Sequence, residues 1–254
     1  MILRKFSNYD LDGMPPVLAW NPVAMRCTRV DEGCAHCWHL RMADRLANNP
    51  MLTPEARESY AGSDPVLLDS KKGLHPVFIP VKKQSVIAVQ FMGDLWHPNI
   101  GKFCRQLVFN IMFANPEHVY LLLTKRPERV TETLPDNCWL GTSVHDQASA
   151  ERRIPELLKV KATHKWLSVE PMLGDVCRPL LHDALAQVKF VACGPETGAG
   201  ARPCNTEWIR YLANYCEGDG IPFYDKREPS AEGFTRREWP QEWTNRMGRG
   251  RSCD

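Results

Sequence analysis

The stretch "CWLGTSVHDQASAERRIPELLKVKATHKWLSVEP", residues 138–171, contains the unit that decides the predicted fold. Short apolar runs at 138–144 and 165–171 have the length and composition of strands. Between them, residues 147–159 carry apolar side chains at helical spacing. A strand, a helix and a second strand in this order predict two parallel strands joined by a helical crossover.

The same alternation extends to both sides of this unit. Further strand candidates are 16–20, 85–93, 118–124, 189–196 and 221–226, and further helical segments are 103–116 and 206–216. This pattern predicts an α/β fold, a partial (β/α) barrel of about six or seven mostly parallel strands. We expect one domain over residues 1–245, with an inserted loop or short helical excursion at 49–73 and a basic flexible tail at 246–254.

The composition bears on the cellular location of the protein and on the role of its cysteines. The chain has no apolar run long enough for a membrane span, and residues 1–13 lack the apolar core and cleavage site of a signal peptide. We therefore expect a cytoplasmic protein whose ten cysteines are ligands, core residues or reactive groups instead of disulfides. The formal net charge of +2 neither requires nor excludes nucleic acid, because a basic surface can be hidden in the average.

Polar or small residues follow nearly every predicted strand. They are Gly93-Asp94, Lys125-Arg126, Gly141-Thr142-Ser143, Glu170, Gly194-Pro195-Glu196 and Asp225-Lys226. In α/β proteins the ligand site lies at the carboxyl ends of the strands, so these residues are predicted to converge on one face.

A loop with three cysteines follows the strand predicted at 16–20 and is predicted to lie on the same face as these polar residues. It begins the stretch "NPVAMRCTRVDEGCAHCWHLRMADRL", residues 21–46, and spaces Cys27, Cys34 and Cys37 by six and then two residues. After Cys37 the apolar residues recur at helical spacing, so the loop is predicted to run into an amphipathic helix.

Three explanations of these cysteines remain open. A structural zinc site needs four ligands, which His36 or His39 would have to complete. Three buried core thiols are a second explanation, although the loop is rich in charges. An iron–sulfur cluster held by three thiolates leaves one iron without a protein ligand, and that iron can bind a substrate or cofactor. We favour the cluster.

The cysteine loop and the partial barrel together resemble the radical S-adenosylmethionine (SAM) superfamily. The usual superfamily spacing is three and then two residues, but the longer spacing here resembles a branch found in phages and prophages. The similarity runs from about residue 17 to residue 245. Its further motifs are Trp20-Asn21-Pro22, Gly33-Cys34, Asp94-Leu95, "LLTKRPERV" (122–130), "LPDNCWLGTSV" (134–144), "WLSVEPMLG" (166–174), "CGPETGAGARP" (193–203) and "EWIRYLANYCEGDGIPFYDK" (207–226).

The resemblance implies a 4Fe–4S cluster and SAM as cofactors, and an external electron donor such as flavodoxin as a partner. Cys27, Cys34 and Cys37 would be the cluster ligands. The implied cofactor-binding residues are His36 on adenine, Gly93 and Asp94 at the cofactor's ammonium, Ser143 at a ribose hydroxyl or carboxylate, and Glu170 at the ribose or a substrate amine. Lys125 and Arg126 would bind the methionine carboxylate or a substrate phosphate, and together with Glu170 and Glu196 they form the predicted catalytic set.

The phage context, itself part of the resemblance, implies a base in DNA as the substrate. The favoured reaction isomerises a glycine on a hypermodified thymidine from a nitrogen-linked to a carbon-linked form. The segment from Lys226 to Asp254 holds seven Lys or Arg residues with Trp239 and Trp243 interleaved, which suits contact with phosphates and bases, and a solvated tail is the alternative. Two alternatives stay open: repair of a thymine lesion, similar to spore photoproduct lyase, and a non-enzymatic, zinc-stabilised nucleic-acid-binding protein.

Overall fold

The computed structural model describes residues 4–5, 16–68, 83–176, 182–227 and 236–248. In chain order the elements are β1 (Arg4–Lys5), β2 (Leu18–Trp20), β3 (Val23–Ala24), α1 (Trp38–Ala47), α2 (Pro54–Ala61), β4 (Val66–Leu67), β5 (Val86–Val89), α3 (Lys102–Ala114), β6 (Val119–Thr124), β7 (Cys138–Val144), α4 (Gln147–Lys159), β8 (His164–Val169), α5 (His182–Leu185), β9 (Val191–Cys193), α6 (Thr206–Gly218), β10 (Phe223–Asp225) and α7 (Gln241–Gly248).

A curled sheet of seven parallel strands forms a half-barrel at the centre of the protein, with helices at its flanks. The spatial order is β2-β5-β6-β7-β8-β9-β10, and β1 adds an antiparallel strand beside β2. This architecture confirms the predicted α/β partial barrel. Every predicted strand segment overlaps one of the seven, although β8 begins at His164, one residue before its predicted segment. The unit at 138–171 is reproduced closely, since β7 and α4 have the predicted bounds.

The strand β5 is shorter than predicted for a local reason. The apolar run continues to Met92, but Gln90 has φ of 54°, which turns the backbone out of the extended conformation. Its side-chain amide accepts a hydrogen bond from the Val23 amide at 2.9 Å and donates to the Val23 carbonyl at 3.0 Å. The buried amide therefore fixes the turn after β5 to the chain just before the cysteine loop.

Two faces of the sheet are buried, as the alternation within β6 shows. Tyr120 and Leu122 pack in the larger core, which includes apolar residues of α3, α4 and α6. Val119 and Leu121 belong to the opposite core, together with Trp243 of α7. Covering both faces leaves the carboxyl edge of the sheet as the place where polar groups can gather.

Two predicted segments differ from the expectation in detail. The described part of segment 49–73 holds α2 and β4, and β4 pairs with β3, so it contains a short helix and a strand; residues 69–73 lie outside the described part. Helix α7 reaches Gly248, so the predicted tail begins inside a helix, and residues 249–254 lie outside the described part as well. None of the described helices is long and apolar enough to cross a membrane.

Contact of Trp239 and Trp243 with bases was one of two interpretations of the segment from Lys226 to Asp254, and for these two rings it is wrong. Trp239 is 6% exposed and Trp243 is fully buried. Their rings pack edge to face, with centroids 5.8 Å apart, and Trp243 also packs edge to face on Trp139 of β7. Both rings therefore stabilise the core of the half-barrel.

Candidate functional site

The cysteine loop and the carboxyl ends of the strands enclose a cavity of about 700 Å³. All eleven residues predicted for the site line it: Cys27, Cys34, His36, Cys37, Gly93, Asp94, Lys125, Arg126, Ser143, Glu170 and Glu196; Gly33 beside Cys34 and Lys226 after β10 line it as well. Residues from six strand ends and from one loop thus meet in one space. Its volume is in the range of small-molecule and cofactor sites.

Asp31 anchors the cysteine loop to the sheet. Its carboxylate accepts a hydrogen bond from the Gly33 amide at 3.1 Å, within the short 3-10 helix Glu32–Cys34, and also binds Arg153 of α4. Arg153 in turn donates to the carbonyls of Lys125 and Ser143, at 3.1 and 2.7 Å. Burial raises the pKa of Asp31, but the charges of Arg153 and Lys125 outweigh it and hold this pKa below its usual value.

Neither Asp31 nor Arg153 was predicted from the sequence to belong to the site. A signal for Arg153 exists, because this arginine lies on the apolar face of α4 beside Ile154 and is 1% exposed. A buried arginine needs a buried acceptor. The acceptor is more than a hundred residues away along the chain, and nothing local in the sequence pairs the two.

The three thiols have different environments around the cavity. Cys34 is buried, while Cys27 and Cys37 are half-buried. Lys125 donates a hydrogen bond to the Cys34 sulfur at 3.2 Å. Burial acts to raise the pKa of Cys34, but Lys125 and the neighbouring backbone amides bring it below the usual value. Burial and Asp94 raise the pKa of Cys27 to about 11 against the opposing effect of Arg126, so this thiol needs a bound metal to become a thiolate near neutral pH.

The three thiols share one cavity without meeting at a point. In the ranges that the structure describes, no three His, Cys, Asp or Glu side chains come together closely enough to hold one metal ion. The thiolates of an iron–sulfur cluster bind separate irons, so they have to face a common space and need not meet at a point. The three free thiols do face one space, with the cations Lys125 and Arg126 beside them.

The two histidines that could complete a zinc site are engaged elsewhere. His36 pairs through Nδ1 with the Glu196 carboxylate at 2.9 Å. His39 accepts a hydrogen bond at Nε2 from the Cys27 amide at 3.3 Å, and burial lowers its pKa to about 4. His39 is thus a neutral ring that holds the loop backbone, a role for which its position two residues after Cys37 gave no signal.

Asp94 lies in the cavity wall, but its carboxylate already has four protein donors. It accepts hydrogen bonds from the Thr124 hydroxyl at 2.8 Å, the Trp96 amide at 3.0 Å, the Lys125 amide at 3.1 Å and Arg126 at 2.8 Å. Only 4% of the residue is exposed. Asp94 therefore joins the ends of β5 and β6, and this role takes up the oxygens expected to bind the cofactor's ammonium.

Arg126 links that junction to the cysteine loop. It is 8% exposed, and besides Asp94 it contacts Thr28, donating to the hydroxyl at 3.0 Å and to the carbonyl at 3.4 Å. Lys125 reaches Cys34 on the same loop. Both cations thus hold the loop that carries the thiols, and a substrate phosphate would have to compete with these contacts.

Gly93 and Ser143 occupy the floor of the cavity. Gly93 has φ of 122°, and a Cβ atom there would lie 2.6 Å from the Met25 sulfur, so the turn after β5 requires glycine. Ser143 is the buried penultimate residue of β7, and its carbonyl accepts the hydrogen bond from Arg153. The residue also lines the cavity.

Ion pairs hold the two glutamates of the cavity lining. Glu170 accepts hydrogen bonds from Ser168 at 3.2 Å and from Lys226. Glu196 is held by Arg202, and this pairing lowers its pKa to about 2. Glu196 in this way joins the glycine-rich turn to His36 beside the last cysteine.

Charged and aromatic residues that were not predicted from the sequence also line the cavity. They are Trp38, Arg41, Tyr224, Arg227 and Arg237, and the predicted Lys226 lines it as well. Altogether six Lys and Arg side chains line the cavity against three carboxylates, an excess of three positive charges. The whole chain has a formal charge of only +2, so the cavity concentrates positive charge that the composition hides.

Comparison with known proteins yields one assignment. No curated protein and no solved structure matches the chain. Residues 17–249, nearly the whole chain and all of the cavity lining, match the family described as Protein of unknown function (DUF5131). The protein therefore belongs to the DUF5131 family.

Proposed function

We propose that the protein is a radical SAM enzyme that acts on a modified base in DNA. One observation carries the proposal: three free thiols of one loop open onto a single cavity at the carboxyl ends of a parallel half-barrel. Bound there, a 4Fe–4S cluster would supply one electron to SAM and release a 5′-deoxyadenosyl radical that takes a hydrogen atom from the substrate.

The protein's own residues have three tasks in this proposal. Cys27, Cys34 and Cys37 hold the cluster, and Lys125 stabilises the Cys34 thiolate. Ser143 and the pair of Glu170 with Lys226 offer polar groups to the ribose and to the methionine part of SAM. Asp94 and Arg126 keep the loop in place against the strand ends instead of touching the cofactor's charged groups.

The excess of positive charge around the cavity supports an anionic substrate. DNA supplies phosphates, and a base can enter a cavity of this size only when it is flipped out of the duplex or lies in a single strand. We propose the isomerisation of glycyl-thymidine as the reaction. It moves the thymine 5-methylene group from the glycyl nitrogen to the glycyl α-carbon, without net oxidation or reduction.

Anaerobic purification tests the cluster. We expect a brown protein that contains iron and bleaches with dithionite, and the loss of this iron when Cys27, Cys34 or Cys37 is replaced by Ala. Cys104→Ala and Cys216→Ala are the matched controls, because these cysteines do not line the cavity. A colourless protein with stoichiometric zinc would overturn the proposal in favour of a zinc-stabilised binding protein.

Product analysis tests the chemistry and then the substrate. Under strong reductant the reconstituted protein should convert SAM to 5′-deoxyadenosine, and absence of this product would contradict the radical reaction. With DNA that carries α-deuterated glycyl-thymidine, deuterium should appear in 5′-deoxyadenosine. Transfer only from free amino acids or peptides would rule out DNA and leave the radical chemistry standing.

A further inference from the structure

We propose that Trp38 and Arg41, at the rim of the cavity, form a subsite for one nucleotide of an unpaired DNA segment. Trp38 stacks on the base, and Arg41 binds the adjacent phosphate. The inference rests on the proposed function for the identity of the polymer, but its binding step needs neither the cluster nor SAM.

The two side chains lie together because of their spacing in α1. The helix begins at Trp38, directly after Cys37, and Arg41 follows three residues later. Residues three apart occupy the same face of a helix, and both of these line the cavity. The subsite is therefore next to the cysteine loop, where a reactive base has to be delivered.

Trp38 is exposed although large aromatic rings in this protein are usually buried. Its exposed fraction is 44%, whereas Trp96, Trp139, Trp166 and Trp243 have at most 1%. An aromatic ring at the rim of a polar cavity offers a flat face to a planar ligand. Stacking of this kind is worth about 1–3 kcal/mol per base and depends little on sequence.

Arg41 is the exposed cation of the cavity lining. Lys125, Arg126, Lys226 and Arg227 are less exposed, and they bind Cys34, Asp94, Glu170 and Asp225 respectively. Within the described lining, Arg41 is the Lys or Arg residue classed as exposed. Its guanidinium lies against the glycine-rich turn, where a Cβ on Gly198 would be 3.2 Å from Nη2. The guanidinium thus lies beside the turn and is still exposed, so that a phosphate can reach it.

The charge of the cofactors does not change this argument. A cluster with three thiolates is negative overall, and the positive SAM molecule roughly offsets it. The positive excess of the lining therefore persists in the loaded site and favours an anion at the rim. Since Trp239 and Trp243 are buried in the core, Trp38 is the better placed ring for a base.

Binding of a short fluorescein-labelled oligothymidylate, followed by fluorescence anisotropy without SAM or reductant, tests the subsite. We expect Trp38→Ala to weaken binding at least about fivefold and Trp38→Phe to retain most of it. Arg41→Gln should weaken binding and reduce the slope of log affinity against log salt by about one, whereas Arg41→Lys should keep that slope.

The matched controls are Phe103→Ala and Lys102→Gln on α3. Phe103 is 77% exposed, and neither residue lines the cavity, so both variants should bind as the wild type does. An abasic oligonucleotide of the same length separates the two contacts, since it keeps the phosphates. With this probe the effect of Trp38→Ala should disappear and that of Arg41→Gln should remain.

Three results would overturn the inference. The first is that Trp38→Ala binds the oligonucleotide as well as Phe103→Ala does. The second is that Trp38→Ala loses as much affinity for the abasic probe as for the intact one. The third is that the wild type has no affinity at low salt. Iron content and 5′-deoxyadenosine formed without DNA are measured on the same variants. Normal values together with lost binding support the subsite, whereas normal values with unchanged binding reject the subsite and leave the radical chemistry intact.

Discussion

Lys125 contacts a different group from the one that its position in the sequence suggested. Its place after β6 suggested that it binds a carboxylate or a phosphate, yet its ammonium lies 3.2 Å from the Cys34 sulfur and its side chain is only 18% exposed. A cation that donates a hydrogen bond to a cluster ligand stabilises the more negative, reduced state of the cluster. If the proposed cluster is bound, Lys125 is part of its electronic environment.

We therefore predict that Lys125→Met lowers the reduction potential of the reconstituted cluster, because the reduced state loses a cationic donor. Potentiometric titration followed by electron paramagnetic resonance measures the shift. Lys102→Met, on the exposed start of α3, is the control and should leave the potential unchanged. An unchanged potential in Lys125→Met would mean that Lys125 does not contact the ligand in the loaded protein.

Asp94 leads to a prediction about stability. Replacing it by Ala leaves Arg126 as a buried charge without its carboxylate, which costs about 3–5 kcal/mol in the free energy of unfolding. Asp44→Ala is the matched control, because Asp44 forms its ion pair with Arg26 at the surface, where such pairs are worth about 0–1 kcal/mol. Urea unfolding of the metal-free protein measures both. Similar small losses for the two variants would refute the structural role of Asp94.

At the scale of elements, the packing of β7 against β8 depends on one close contact. Gly141 faces the indole of Trp166 on β8, and a Cβ atom there would lie only 2.4 Å from the ring. Trp166 cannot move easily, since its indole nitrogen donates to the carbonyls of Leu122 and Trp139 at 3.1 and 3.0 Å. Adjacent strands of the half-barrel are thus fixed by one small residue beside one large one.

Gly141→Ala is expected to destabilise the protein by about 1–3 kcal/mol, because the added methyl group overpacks the core. Gly218→Ala at the end of α6 is the control, since the space around Gly218 is open within 4 Å. There the substitution should be neutral or slightly stabilising. Thermal unfolding of both variants gives the comparison, and equal melting temperatures would show that the sheet accommodates the methyl group.

The elements that were predicted well are those whose pattern is local. β7, α4 and α6 are defined by apolar spacing and by caps such as Asn205, all of which lie within a few residues of the element. The early end of β5 was missed because Gln90 turns the chain in order to bond Val23, a contact between segments far apart in sequence. The pairing of β3 with β4 is likewise long-range.

The candidate site, like the fold, was predictable only in its local features. Strand-end position brought the predicted residues to one cavity, because parallel strands end on one side. Two of the site's ion pairs were not predictable, since Asp31–Arg153 and Asp94–Arg126 join segments far apart in the sequence. The Glu196–Arg202 pair lies within one turn, but its formation depends on the conformation of that turn. Trp38 and Arg41 lie at the start of the predicted amphipathic helix, but the sequence alone does not give the exposed fraction of either side chain.

For the molecule as a whole, the distribution of buried histidines sets the response to acid. His39, His97, His118 and His145 are each at most 3% exposed. Burial lowers the pKa of all four, and that of His39 falls to about 4. In the unfolded chain a histidine has a pKa of about 6.5. Below that pH the unfolded state binds protons that the folded state does not, so acid favours unfolding.

We predict that the free energy of unfolding of the metal-free protein decreases as the pH falls from about 6.5 towards about 4. His39 alone contributes a loss of about 2 kcal/mol between about pH 7 and pH 5, since its depressed pKa keeps the folded ring neutral over this interval. His39→Gln retains an acceptor for the Cys27 amide but cannot be protonated, so its decrease should be smaller by that amount. Urea unfolding of both proteins at the two pH values measures the difference. The interval lies above the usual pKa values of Asp and Glu, so most carboxylates remain charged throughout and do not mask the result. Parallel decreases in the two proteins would show that His39 takes up its proton while folded, and would contradict the buried, neutral ring on which the backbone of the cysteine loop rests.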